Sequence, residues 1–385
     1  MYMVNFFGKR PLVTDGTAMK KILYYASEEH GSNHTSVEAL FNKYLKRYFD
    51  IDIVFKGDKT EKDRQNNIVI SRKKKRSIWN EVRSVSDKEY DLIIVRNDFN
   101  VLKNVIEQKE KNNHSAKIGF QCTFLHAFRR VLQALKLRKS VLRKTIEYLA
   151  ASKREQFLLQ KVDFILPNSR QMNHVVNKFD IPYEFIYSSI DMDLIPESVK
   201  NTESADIRFI YVGTVDKLRE LYVVFKAFSK IKSGNWKFDV YTRNIDEAHN
   251  CRNLMEDNQE KVTIHDAIPR EDLYRVMSGY DVGISLIPIS DLYNVASPIK
   301  LSEYFACKLA VLTTPIPEAV DLYVNADAAI FSGFDEESIT QKIEEVIGLG
   351  RERLSEMGVN GYKVVNEKRN YEKNSVYLRE FLDSF

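Results

Sequence analysis

The chain has 385 residues, of which 44% are hydrophobic and 29% charged, with 14 glycines and 9 prolines. At roughly 100–200 residues per domain, that length predicts two or three domains with sizeable cores, and the composition excludes a disordered chain, a fibrous one and a disulfide-held miniprotein. The net charge of +4 conceals an asymmetry, +12 over residues 1–200 against −8 over 201–385, so the first half is expected to face something anionic: a phospholipid surface, a phosphorylated acceptor or nucleic acid.

Residues 1–18, with Gly8, Pro11 and Gly16, lack the apolar core of a signal peptide and read as an N-terminal extension. From residue 19 onward, short strands rich in Ile, Val, Phe and Tyr alternate with amphipathic segments, the pattern of parallel α/β units. Strands are expected at K-I-L-Y-Y-A (21–26), I-D-I-V-F (51–55), D-L-I-I-V-R (91–96), K-I-G-F-Q (117–121), D-F-I-L-P (163–167) and E-F-I-Y-S (184–188). The first strand-to-helix loop carries Gly31, Asn33 and His34, candidate acceptor contacts in a two-domain cleft enzyme. The run S-R-K-K-K-R (71–76) reads as a solvated loop.

A second basic tract, residues 127–154, holds nine Lys/Arg and one Glu, with apolar residues from Phe128 to Leu149 near helical spacing. One face is apolar and the other cationic, which fits a helix lying on an anionic membrane and equally a domain helix with a solvated basic face. No zinc spacing or aromatic RNA motif accompanies the charge, so nucleic acid is not an expected partner. Asp191–Met192–Asp193 imitates a D-x-D metal motif, but its place after the last strand of the first set argues against that role, and no metal or cofactor is expected.

The polar stretch P-E-S-V-K-N-T-E-S-A-D (196–206) reads as a linker. It would divide a domain over 19–200 from one over 201–370, with 371–385 a helix returning to the first. The second set of strands falls at I-R-F-I-Y-V (207–212), W-K-F-D-V-Y (236–241), K-V-T-I-H (261–265), D-V-G-I-S-L (281–286) and L-A-V-L-T-T (309–314). Cys122, Cys251 and Cys307 form no C-x-x-C pair and read as reduced, mostly buried thiols of a cytosolic protein. No segment reaches the ~18 uninterrupted apolar residues of a membrane span.

Ligands of such sheets bind beyond the carboxyl ends of the strands, where helix N-termini hold phosphate. Two segments of the second half fit. In F-I-Y-V-G-T-V-D-K-L-R-E-L (209–221) a strand leads through Gly213 to an expected helix start with Lys217 and Arg219, cations able to neutralise a diphosphate. In the second, Ser297–Pro298 opens a helix, Ser as cap and Pro at its first position, with Lys300 beside the free amides and Glu303 placed to accept ribose hydroxyls.

The run S-P-I-K-L-S-E-Y-F-A-C-K-L-A-V-L-T-T-P-I-P-E (297–318) resembles the donor-site signature of bacterial GT-B glycosyltransferases of the retaining family-4 type, also called glycosyl transferases group 1. V-D-F-I-L-P-N-S (162–169), V-G-T-V-D-K-L-R-E-L (212–221) and 262–286 extend the likeness. The resemblance implies two doubly wound Rossmann-like domains facing across a cleft. It further implies a hexosyltransferase using a nucleotide-diphosphate sugar, taken as UDP-linked, with retention and without a metal. Lys217 or Arg219 would meet the diphosphate; Ser297, with Pro298 and Ile299 beside it, and Lys300 would hold the distal phosphate; Glu303 would bind ribose, and His126 the transferred sugar. By family habit the acceptor would be a surface glycan or a lipid-linked one, and the protein a cytoplasmic one, peripheral at the inner face of the plasma membrane.

The chain departs from the family pattern at three places. Val295 replaces an outer glutamate, with Asp291 nearby; Thr214 replaces an arginine after the turn glycine; and Lys308–Leu309–Ala310 stands for G-x-P. These departures sustain a second reading, a GT-B scaffold without catalysis that binds or stabilises an active transferase.

Overall fold

A computed structural model describes residues 18–32, 34–72, 78–136, 140–197, 205–232 and 234–385. Most of the expected extension, most of the basic run at 71–76 and the middle of the linker lie outside the described residues. The chain forms two compact units: one gathers residues up to Gln121, Lys161–Phe164 and Ser375–Phe385, the other Cys122–Gln160 and Ile165–Asn374.

The first sheet is built from β1 (Lys21–Glu29), β2 (Asp50–Gly57), β3 (Glu61–Lys62), β4 (Ile68–Ser71), β5 (Leu92–Arg96), β6 (Lys117–Cys122) and β7 (Phe164–Pro167), in the order β3-β4-β2-β1-β5-β6-β7. Neighbours from β4 through β6 pair in parallel, and β3 adds antiparallel at the edge. The central strands are buried, β5 along its whole length and β1 from Ile22 to Ala26, as expected of a parallel sheet covered on both faces. A π-helical segment, Ser36–Tyr44, follows β1. The α-helices are α1 (Ile78–Arg83), α2 (Phe99–Asn112), α3 (His126–Lys136), α4 (Val141–Leu159) and α5 (Arg170–Val176). Local chemistry sets their ends: Asp98 caps α2 by accepting from the amides of Asn100 and Val101, and Asn113 stops it in a left-handed conformation.

The second sheet contains β8 (Ile207–Val212), β9 (Trp236–Thr242), β10 (Val262–Asp266), β11 (Val282–Ser285), β12 (Ala310–Thr313) and β13 (Ala329–Phe331), ordered β10-β9-β8-β11-β12-β13 and parallel throughout. Its helices are α6 (Tyr222–Ser229), α7 (Ile245–Arg252), α8 (Arg270–Met277), α9 (Asp291–Asn294), α10 (Ile299–Ala306), α11 (Pro317–Tyr323), α12 (Glu336–Lys368, broken at Gly350) and α13 (Tyr371–Asp383). Successive residues of β8 serve opposite faces. Phe209 and Tyr211 join Phe225, Phe228 and Phe238 on one side, while Ile210 and Val212 join Tyr274, Tyr304 and Phe305 on the other.

Each sheet, leaving out the edge strand β3, follows the order 3-2-1-4-5-6 in its own numbering. The direction of winding reverses between β1 and β5 in one and between β8 and β11 in the other, which marks where ligands bind in sheets of this kind.

Ten of the eleven expected strands are present. The exception is E-F-I-Y-S (184–188): Tyr183 makes a single bridge to Ile165, the Glu184 and Ile186 amides reach Ile165 and Pro167, and the Ser188 amide then turns away to the Ser297 hydroxyl. All three cysteines are buried and free. Burial pushes the Cys122 and Cys251 thiols up, to about 12 and about 11 respectively, which keeps them protonated and inert at neutral pH.

Candidate functional site

At the reversal point of the second sheet, β8 ends at Val212 and Gly213 turns the chain with φ 153°, its amide bonded to the Tyr241 carbonyl at 3.0 Å. The Tyr211 hydroxyl donates to the Thr214 carbonyl at 2.8 Å. The next turn is organised by Asp216, which accepts from the Leu218 and Arg219 amides at 3.0 and 2.9 Å and pairs with the Arg219 guanidinium at 3.2 Å. Lys217 and Arg219 therefore lie in this turn and not on a helix start. Glu220 adopts φ 50°, a left-handed conformation that delays α6 to Tyr222.

Beyond β11 the chain passes through α9 to Val295, a buried residue whose carbonyl accepts from the Ser169 hydroxyl at 2.7 Å. Ser297 is buried too, but it does not cap the following helix. Its hydroxyl donates to Glu318 Oε1 at 2.6 Å and accepts the Ser188 amide at 3.2 Å, while Pro298 occupies the cap position and Ile299 begins α10. No side chain among the described residues caps the amino end of α10, so the first-turn amides retain the partial positive charge that favours an anion.

Glu303, one turn along, is 1% exposed. Lys300 contacts its Oε2 at 2.9 Å, the Tyr274 hydroxyl donates to Oε1 at 3.3 Å, and Arg270 stands 3.7 Å from the same oxygen. Burial and the Glu303 charge push the Tyr274 hydroxyl well up, so it remains a donor. Tyr304 of α10 accepts the Val212 amide at 2.8 Å, which ties this helix to the end of β8. The Gly213 turn, Ser297, Lys300 and Glu303 thus all belong to the loops and helix around one strand reversal.

Below these loops, a second cluster supports Ser297. Arg369 donates to Glu318 Oε1 through Nε at 3.3 Å and a terminal nitrogen at 3.2 Å, and its guanidinium lies 3.8 Å from the Tyr187 ring. Burial pushes the Glu318 carboxyl up, against the pull of Arg369 and Ser297. Neither Glu318 nor Arg369 was legible in the sequence as a partner of Ser297. The only available signal was that Glu318 closes the P-I-P-E run.

His126 is the first residue of α3, and its side chain is not among those described. Its neighbours Leu125 and Phe128 line a cavity of about 610 Å³ with Tyr148, Arg170, His174 and Val295. Gly31 and His34 belong to the other unit. Gly31 turns the chain after β1 with φ 84°. His34 Nε2 lies 2.7 Å from the Arg96 guanidinium and Nδ1 lies 3.1 Å from the Ser36 hydroxyl. A guanidinium can only donate, so Nε2 accepts and the proton sits on Nδ1. Asn33 lies outside the described residues. Asp191 caps a short turn by accepting the Asp193 amide at 3.3 Å. Among the described residues, no three His, Cys, Asp or Glu side chains converge as a metal site would require.

Two parallel sheets of this order, each with its loops at the strand reversal, define the GT-B glycosyltransferase fold. Sucrose-phosphate synthase from Thermosynechococcus elongatus superposes with a TM-score of 0.72 at 11% identity, over 95% of this chain and 98% of that one. Anabaena Alr3699/HepE in complex with UDP and glucose gives 0.68 at 12% identity, over 96% and 100%. An Escherichia coli structure described as trehalose-6-phosphate bound with UDP-2-fluoro glucose gives 0.67 at 9%, over 94% and 99%. Residues 206–348 match the model for glycosyl transferases group 1. The chain has the GT-B fold, and its residues 206–348 are similar to glycosyl transferases group 1. Among curated protein sequences none matches the chain.

Proposed function

We propose that the protein transfers a sugar from a nucleotide-diphosphate donor, UDP-linked, to a surface glycan or lipid-linked glycan, with retention at the anomeric carbon and without a divalent metal. One observation carries the donor half: the uncapped amino end of α10, with Lys300 and Glu303 one turn apart, beside the Gly213 turn and inside the segment that matches group 1. In the reaction the anomeric C–O bond to the diphosphate breaks and a bond to an acceptor oxygen forms. Negative charge develops on the departing diphosphate, and the α10 amides with Lys300, Arg219 and Lys217 offset it.

Glu303 accepts the ribose hydroxyls, Ser297, Pro298 and Ile299 shape the phosphate loop, Gly213 and Thr214 approach the donor, and His126 meets the transferred sugar. Gly31, Asn33 and His34 contact the acceptor. That relatives of this fold bind UDP with glucose, as in the Anabaena complex, supports a UDP-linked donor. A cytoplasmic enzyme of cell-envelope polysaccharide synthesis, peripheral at the inner face of the plasma membrane, fits this chemistry and the basic tract at 127–154. The second reading, an inactive scaffold, is favoured by Val295, whose buried aliphatic side chain stands where an outer carboxylate is expected.

Thermal stability against UDP, GDP, ADP and CMP, with and without magnesium, separates the two. A rise with one nucleotide that magnesium does not change supports the transferase and names the base; no rise with any favours the scaffold. Glu303→Ala should weaken the binding of that nucleotide about tenfold or more, the loss of charge-assisted hydrogen bonds. Unchanged affinity removes Glu303 from the ribose site.

A further inference from the structure

On α4 the polarity of an ordinary surface helix is inverted. Its inward side carries Tyr148, whose ring lies 5.7 Å from Phe128 of α3, and it ends in the buried pair Leu158 and Leu159. Its solvent side, where charges are expected, carries Leu142, Ile146, Leu149 and Phe157, which are 76%, 59%, 55% and 58% exposed. At about 100° per residue these four share an arc of roughly 80°, and at about 1.5 Å per residue they form a stripe about 22 Å long. Exposed Arg143, Lys153 and Arg154 flank or interrupt it on the same helix, and exposed Arg130 and Leu135 lie on α3. Of the two acids on α4, Glu147 contacts Arg143 and Lys144, and the half-buried Glu155 lies within electrostatic reach of Arg130 and Arg154, so the cations remain in excess.

We propose that the solvent face of α4 docks on an anionic phospholipid bilayer, with Leu142, Ile146, Leu149 and Phe157 entering the acyl boundary and Arg130, Arg143, Lys153 and Arg154 at the headgroups. Two competing occupants fit worse. A solvated face has no use for four large apolar side chains in line. A second copy of the chain would bring two sets of cations together, whereas an anionic leaflet complements both components of the stripe. The inference deepens the acceptor half of the proposed function and rests on that reading for its purpose, since a lipid-linked acceptor is met at the membrane.

The test is flotation of the full chain with vesicles of phosphatidylcholine alone or mixed with phosphatidylglycerol. Binding to the mixed vesicles is expected, with release as salt rises. The variant Leu142→Ser/Ile146→Ser/Leu149→Ser/Phe157→Ser should lower partition about tenfold or more, and so should Arg143→Gln/Lys153→Gln/Arg154→Gln. Both variants should keep the wild-type nucleotide-induced thermal shift, which shows that they fold. Absence of wild-type binding, or undiminished binding of the serine variant, overturns the proposal. So does a wild-type dimer that the serine variant dissolves, which assigns the stripe to a second copy. A missing nucleotide shift with intact vesicle binding overturns the transferase reading and leaves the docking surface standing.

Discussion

Arg369→Met isolates the cluster beneath the donor loops. The Arg369 and Glu318 side chains are 5% and 9% exposed, and Glu318 Oε1 receives two Arg369 nitrogens together with the Ser297 hydroxyl. Glu318 Oε2 is buried and has no hydrogen-bond partner among the described residues. Methionine fills much of the space but leaves the carboxylate with one hydroxyl donor, a loss of about 3 kcal/mol. The chain contains two tryptophans, Trp79 in the first unit and Trp236 in the second. In a Trp79→Phe background, fluorescence therefore reports the unit that holds the cluster. With m at about 3 kcal/mol/M in urea, the midpoint should fall by about 1 M.

The sign of the pH dependence follows from the raised Glu318 carboxyl. The folded state holds this proton more tightly than the unfolded chain, so the term is most favourable below the unfolded value near ~4.3 and is lost as pH rises through the folded one. Removing Arg369 raises the carboxyl further, so the penalty should be larger at pH 8 than at pH 5.5. Adding Glu318→Gln, which removes the charge and keeps an acceptor for Ser297, should recover most of the loss. Equal penalties at both pH values, or a double variant no better than the single one, would refute the reasoning.

In the same unit, a methyl group at Gly358 would lie 2.0 Å from the Lys308 carbonyl oxygen; Gly358→Ala should cost about 3 kcal/mol by the Trp236 signal, and an unmoved midpoint contradicts this. Asp163 in the first unit is pushed up by burial, but the Ile118 amide at 2.8 Å and the Lys117 and Lys109 ammoniums outweigh that and hold it low. Its contribution is present above the unfolded value near ~3.9 and lost as pH falls through the depressed one. Asp163→Asn should thus cost about 1.5 kcal/mol at pH 7, read at Trp79 in a Trp236→Phe background, with the difference closing in acid; a constant difference rejects the assignment. Arg219→Ala should weaken nucleotide binding about tenfold, measured by calorimetry, while the Asp216 turn stays formed; wild-type affinity excludes Arg219 from the diphosphate site.

The strands legible in the sequence were those whose chemistry is local. β1, β5, β8 and β11 lie inside parallel sheets, and burial on both faces favours short runs rich in Ile, Val, Leu, Phe and Tyr. β3 and β13, of two and three residues, are too short for periodicity to register, and β4, though as long as β11, was also missed. Ser-Pro-Ile-Lys has the form of a capped helix start, yet the cap was lost to Glu318, 21 residues away, and that carboxylate is fixed by Arg369 another 51 residues on. Spacing along the chain carries no trace of such a cluster. Lys308 is the converse case: it stands where the family pattern has glycine and adopts φ 59°, so the backbone keeps the turn although the residue that eases it is gone.

The same distances divide the candidate site by what a diphosphate can reach. Lys300 and Arg219 each contact a carboxylate of their own turn, Glu303 and Asp216, at 2.9 and 3.2 Å, and their side chains are 33% and 35% exposed. The Arg219–Asp216 pair, partly exposed on both sides, is worth no more than about 1 kcal/mol, so under the proposed function Arg219 can leave Asp216 for a phosphate at small cost, whereas Lys300 leaves a Glu303 side chain only 2% exposed and does so only as ribose hydroxyls take its place. Glu303 would then keep the Tyr274 hydroxyl and turn its freed oxygen to ribose. The Ser297 hydroxyl stands apart from this exchange: it is buried, held at 2.6 Å by a carboxylate that Arg369 also grips, and it receives the Ser188 amide. Moving it toward phosphate would expose Glu318 to an unpaired burial. Ser297 is therefore better understood as a positioning residue that fixes where Pro298 and Ile299 begin α10, and the phosphate chemistry falls to the helix amides and to Lys300.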